Sequence, residues 1–312
     1  ARRVWGKEHE QTGHFMWSLA SVYFIQGRYK EAEPLAEKAL EISMRQRGEE
    51  DRHNVECMSL VVWIYLFQGR YEEAERLISK ALAINLRQRD RNDWWTLTLK
   101  HQSAELCWSL GRYEEAEKIL LEVLDGRRRI YGEEHLDTIW ITADLGRLCC
   151  SLSRYEEAES LFEEALSTAR RVLGNTHFLT TCSMSGLGTV YLTQGQYDQA
   201  KPLLEKSLEI ASGLFGGDHP ITLQIINNLG MLHRRQGQYD EAESLLRQAL
   251  EGRQRKLGPN HPYTLESMHE LAAMYKEQAR YEDAEPLLLE SGPRPAADGP
   301  TQGHASTQEA VD

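Results

Sequence analysis

Histidine recurs at His135, His177, His219 and His261, 42 residues apart each time, and His9 falls in the same column. Imidazoles at a fixed spacing are the side chains that ligate zinc or carry protons. Scale excludes a shared metal here. Adjacent helical units lie about a helix diameter apart, roughly 10 Å, whereas a zinc–nitrogen bond is about 2 Å. No second ligand accompanies each histidine at zinc-site spacing. The column is expected to cap helices or to hydrogen-bond between units, with no metal and no cofactor.

Nucleophilic and phosphate chemistry leave no mark. The chain has no phosphate-cradling glycine loop, no nucleophile elbow and no H-E-x-x-H. Gly186-Leu187-Gly188 falls inside a predicted helix, where small residues serve packing. No catalytic residue is expected, and the chain is read as a non-enzyme. The five cysteines, Cys57, Cys107, Cys149, Cys150 and Cys182, form no C-x-x-C pair and are odd in number. That pattern points to a reducing, cytoplasmic setting. Cys107 and Cys149 share the column of Tyr23, Tyr65, Tyr191 and Tyr275 and are expected to fill core.

The bulk numbers agree with an interaction role. The formal net charge is −12 over 312 residues, which disfavours nucleic acid and anionic membrane as partners. No stretch is long and apolar enough to cross a bilayer, and no signal peptide opens the chain. Arg127-Arg128-Arg129 reads as a solvated helix end.

The elements that must position any site come from one repeated unit. Tyr29, Tyr71, Tyr113, Tyr155, Tyr197, Tyr239 and Tyr281 lie 42 residues apart, each followed three positions later by alanine. A strict period of that size means a solenoid of seven stacked supersecondary units, and the two helical patterns in each make it all-α, seven helix-turn-helix repeats. In the sixth repeat, Asp218-His219-Pro220 opens a first helix, with proline in its first turn. Its core side is Leu229, Gly230 and His233. Gly237 ends it, as Gly27, Gly69, Gly111 and Gly195 do elsewhere. Ser153 and Ala279 replace that glycine, so those two turns are expected to be strained. The second helix carries Ala242, Leu245, Leu246, Ala249 and Leu250 on one stripe, with Glu241 and Glu243 facing water.

Three segments follow. Residues 1–10 read as the end of a preceding repeat, because Arg2-Arg3-Val4-Trp5-Gly6 matches Arg170-Arg171-Val172-Leu173-Gly174. Residues 11–290 hold the seven repeats, and the proline- and glycine-rich 291–312 read as a disordered tail. Asp93-Trp94-Trp95 is unusual. Adjacent tryptophans cannot share a helix face, so one is expected to pack between repeats and the other to be exposed or covered.

The Leu-Gly…Gly-x-Tyr-x-x-Ala landmarks resemble the tetratricopeptide repeat. The 42-residue version with its Gly-x-x-His-Pro-x-Thr linker is similar to the repeats of kinesin light chains, and to arrays in signalling ATPases and kinases. The resemblance implies a right-handed superhelical solenoid with a concave groove, lined by first helices, that receives a peptide or partner protein. Only Asn227-Asn228-Leu229-Gly230 matches the asparagine run with which kinesin light chains hold peptide backbone.

Where the seven copies disagree, packing no longer dictates the residue. Those columns place Trp17, Trp63, Trp108 and Trp140 early and Arg147, Arg234 and Arg235 later, giving with Asn227 and Asn228 an expected partner-binding set. The reading is a non-catalytic scaffold or adaptor for a protein or peptide. The alternatives are a sensor or autoinhibitory arm of a larger signalling ATPase or kinase, or a kinesin light chain-like cargo adaptor. Self-association through uncapped terminal repeats is a further expectation.

Overall fold

The histidine column does start helices. In a computed structural model that describes residues 9–88 and 93–292, the Nδ1 atoms of His9, His135, His177, His219 and His261 each accept the backbone N–H two residues on, at 3.2–3.3 Å. Side-chain acceptors at this position satisfy one of the amides that a helix start leaves unpaired. Asp93 does the same for Trp95. Three residues after the histidine, Thr138, Thr180, Thr222 and Thr264 donate from Oγ1 to the linker carbonyls of Gly132, Gly174, Gly216 and Gly258, at 2.7–2.8 Å. The His-x-x-Thr spacing therefore builds a cap and fastens the linker to it.

All described regular structure is helical. The first helices are α1 (Glu10–Ile25), α3 (His53–Phe67), α5 (Trp94–Ser109), α7 (Leu136–Ser151), α9 (Phe178–Thr193), α11 (Pro220–Arg235) and α13 (Pro262–Glu277). The second helices are α2 (Tyr29–Arg47), α4 (Tyr71–Gln88), α6 (Tyr113–Tyr131), α8 (Tyr155–Leu173), α10 (Tyr197–Phe215), α12 (Tyr239–Lys256) and α14 (Tyr281–Ser291). Most of the segment expected to end a preceding repeat, and the tail from residue 293, lie outside the described residues. Ser153 and Ala279 take the left-handed turn conformation, each at φ 58°, where a Cβ crowds the following carbonyl.

Each repeat stacks on the next through the expected stripe. Phe162 of α8 is buried and covers both Gly146 in its own repeat and Gly186 in the next, where a Cβ would fall 2.2 Å from its ring. Cys107 and Cys149 are buried core. Of the tryptophan pair, Trp95 packs into the core of the first two repeats, while Trp94 is partly exposed and donates Nε1–H to Asp137 at 3.2 Å.

The acidic face is a correction. Glu241 is exposed as expected, but the Glu243 column ties successive repeats together. Glu33 pairs with Arg70, Glu75 with Arg112 at 3.6 Å, Glu117 with Arg154, and Glu243 with Arg280 at 2.7 Å. Each arginine immediately precedes the recurring tyrosine of the next repeat. Partly exposed pairs of this kind contribute about 0.2–1 kcal/mol each, so the ladder sets registry more than it sets stability.

First helices of successive repeats touch one another, whereas the second helices pack only on first helices. The first helices therefore occupy the inside of the curve. The curve closes within the described array. His219 Nε2 reaches the Ile25 carbonyl oxygen at 3.0 Å, and His261 Nε2 reaches that of Phe67 at 2.9 Å, both across 194 residues. Because Nδ1 of each ring accepts an amide, Nε2 carries the proton and donates. Gly27 lies under this contact at φ +68°, where a Cβ would sit 2.5 Å from Pro220 Cδ. The sixth and seventh repeats thus rest on the first and second, and the expected concave groove is the bore of a closed turn.

Candidate partner-binding channel

Aromatic rings follow one another around the turn in a nearly continuous belt. Phe24 meets Phe67 at 5.5 Å, Phe67 meets Trp63 at 6.0 Å, and Trp63 stacks on Trp140 at 6.2 Å with the planes 21° apart. Trp140 meets Phe178 at 6.1 Å, Phe178 meets Phe215 at 5.9 Å, and Phe215 stacks on His219 at 4.5 Å. His219 then bonds back to the first repeat. Trp63 and Trp140 come from the second and fourth repeats. They can touch only because curvature brings first helices together on the inside, with His101 of the third repeat edge-on to both.

Beside the belt sits a charged cluster. His101 Nε2 is 2.8 Å from Asp144 Oδ2, and Arg147 donates to Asp144 Oδ1 at 2.9 Å. Glu105 lies 3.7 Å from the Arg147 guanidinium, which stacks on Trp108 at 4.1 Å from the ring centroid. Such a stack is worth about 0.5–2 kcal/mol depending on desolvation. Desolvation works to lower the Arg147 pKa, but the Glu105 and Asp144 carboxylates outweigh it and the net shift is upward. Glu105 moves up in turn, through desolvation first, with Arg147 opposing and Asp144 adding. Tyr263, from the first turn of α13, is pushed up by desolvation, with Arg147 opposing and Glu105 adding. The seventh repeat therefore reaches into the same space as the third and fourth.

Trp140, Arg147 and Tyr263 all keep more than a third of their side-chain or residue surface open to water. Arg147 and Tyr263 are therefore open to water yet crowded by surrounding protein on the inner side of the turn. The ligand atoms of His101, Glu105 and Asp144 come within 4.8 Å of one another, close enough to share a cation in principle. Arg147 already supplies that positive charge. Burial raises the thiols of Cys150 and Cys182 to about 12 and of Cys57 and Cys107 to about 11, which disfavours the thiolate.

The expected partner-binding set divides. Trp63 stacks on Trp140, and Trp108 stacks on Arg147, all on first helices. Trp17 is half-buried against the first-repeat core, with its Nε1 lacking a hydrogen bond. Asn227 and Asn228 are buried between repeats, bonded to Ser267 at 2.9 Å and Thr189 at 2.9 Å. Arg234 is buried in ion pairs with Glu270 at 2.9 Å and Glu277, while Arg235 is exposed at the end of α11. The expected partner-binding set did not include His101, Glu105, Asp144, Phe178 or Tyr263. Their only signal was departure from the repeat at inward columns.

Stacked helix pairs around an inner wall of rings define an α-solenoid repeat protein. The tetratricopeptide repeat model matches residues 12–87, 95–171, 144–211, 179–255 and 222–291, and the chain belongs to that family. Comparison with curated protein sequences returns no match. Among solved structures, BtubC (BKLC) from P. vanneervenii is similar at 23% identity, covering 74% of this chain and 92% of its own, with a TM-score of 0.53. A Rap protein complexed with competence and sporulation factor gives 16% identity, 89% and 72% coverage, and a TM-score of 0.72. A STAND-class signal transduction ATPase with a tetratricopeptide repeat sensor, from Pyrococcus horikoshii, gives 18% identity, 90% and 42% coverage, and a TM-score of 0.53. These likenesses show the shared fold.

Proposed function

We propose that this chain is a non-catalytic binding module that holds a peptide or an extended partner segment in the bore of its closed turn. The observation that carries the reading is the wetted wall of Trp63, Trp140 and Trp108 beside Arg147. Tryptophan and arginine in a partly desolvated recess are the residues whose truncation most often weakens binding strongly. The Rap structure, solved with a competence and sporulation factor bound, supports a peptide-sized occupant for a solenoid of this kind. Five free cysteines support a reducing, cytoplasmic location.

The test is selection of peptides from a displayed random library on the wild-type chain, followed by titration of a Trp63→Ala, Arg147→Ala double variant. Loss of about 2 kcal/mol or more, at least roughly thirtyfold in Kd, is expected, with the helical circular dichroism unchanged. Undiminished binding by the double variant sinks the channel assignment. A second reading is the sensor arm of a larger signalling protein, favoured by the match of 90% of this chain to the repeat array of the ATPase. A nucleotide-binding switch domain in the same gene product is the expected finding, and a transcript without one removes that reading.

A further inference from the structure

Charge around Tyr263 is unevenly paired. Arg147, Arg253, Glu105 and Glu266 all act on its ring hydroxyl, and Asp144 acts on Glu105. Each guanidinium already holds a carboxylate. Arg147 donates to Asp144 at 2.9 Å, and Arg253 donates to Glu266 at 3.2 Å. His101 also bonds to Asp144. Glu105 is the third carboxylate, with 16% of its side chain exposed and Arg147 3.7 Å away. Among the described residues no hydrogen bond reaches its oxygens. A carboxylate withdrawn from water without hydrogen bonds is costly, and packing does not require it. The same column holds Ser21, Trp63, Arg147, Thr189, Met231 and Ala273 in the other repeats, none of them acidic.

The rings nearby favour a cation. His101, one helical turn before Glu105, is edge-on to both Trp63 and Trp140. An indole face attracts an ammonium or a guanidinium, and Arg147 over Trp108 shows that pairing within the same cluster. Trp140 and Tyr263 are open to water. They lie inside the array, with described repeats on either side of Trp140. Indole, carboxylate and solvent access thus meet in one place.

We propose that the segment held in the turn is basic, and that one of its lysine or arginine side chains pairs with Glu105 while the alkyl stem lies against the indoles. This inference rests on the binding-module reading and names the chemistry of the occupant. A formal charge of −12 draws basic peptides to the whole chain, so the test isolates Glu105 from that general attraction.

The probe is the tightest peptide that the displayed library yields on the full wild-type chain. It is synthesised as selected and again with its basic residue made neutral, citrulline for arginine or norleucine for lysine. The neutral peptide is expected to bind the wild type at least about tenfold more weakly by fluorescence anisotropy. Glu105→Gln keeps the shape of the side chain. It should weaken the charged peptide by a similar factor and leave the neutral one unchanged, so the two losses do not add. Glu241→Gln makes the same change in net charge at an exposed position of α12 and should alter neither. A selected peptide without lysine or arginine, equal affinity for its neutral form, or equal losses in the Glu105 and Glu241 variants overturns the inference. The binding-module reading survives those results if Trp63→Ala with Arg147→Ala still abolishes binding. A selection that yields no peptide removes both.

Discussion

Ser153 and Ala279 occupy turns where the other repeats have glycine, and both pay for a Cβ in the left-handed region. Ser153→Gly and Ala279→Gly are each expected to stabilise the protein by about 1 kcal/mol, read as a higher urea midpoint. An unchanged or lower midpoint would mean that the turn has relaxed around the side chain. This strain was legible in the sequence, because one repeat lacked what the others had at a position of known backbone demand. His101, Glu105 and Asp144 were not legible in that way. Nothing in a single repeat says that three side chains from two successive first helices will meet, since the meeting depends on the angle between repeats.

At the scale of the element, each first helix begins on an acceptor side chain, but His219 and His261 do a second job with the other nitrogen. Both functions need the neutral ring. Desolvation depresses both pKa values despite the hydrogen bonds to Ile25 and Phe67, with Lys256 adding to the shift at His219 and Arg253 at His261; His261 falls to about 4. The unfolded chain therefore takes up protons first as pH falls below the ordinary histidine value of about 6.5. The stability these two rings supply is complete above that pH. It declines on acidification, and for His261 the decline ends near pH 4, where the folded ring also titrates. His261→Asn is expected to keep the helix start, because asparagine caps well, while removing part of this pH dependence. Equilibrium unfolding at a series of pH values decides it, and an identical slope in the variant refutes the assignment. Helix starts and stops were readable from the period itself. The second use of the histidines was not, because its partners lie 194 residues away.

Across the whole molecule, closure depends on Gly27. Gly27→Leu places a side chain where Pro220 Cδ now sits, in a backbone region that favours glycine. The expected outcome is a larger radius of gyration by small-angle scattering at nearly unchanged helicity, because the strain falls on one interhelix turn and the helices stay intact. An unaltered radius would show that the turn closes without this contact. The solenoid followed from period and helix pattern, as did the number of units. That the array comes round on itself did not, because small rotations accumulate over five interfaces and no single interface encodes the sum.

The two histidine contacts have a mechanical consequence. They sit one repeat apart and join the same two stretches of the chain, so tension applied between the ends loads them side by side. Such a clasp holds until both bonds yield together. A single-molecule pulling trace is therefore expected to show one abrupt early lengthening, followed by the gradual, spring-like uncoiling of stacked repeats, and a trace that lengthens smoothly from the start would show that no clasp bears load.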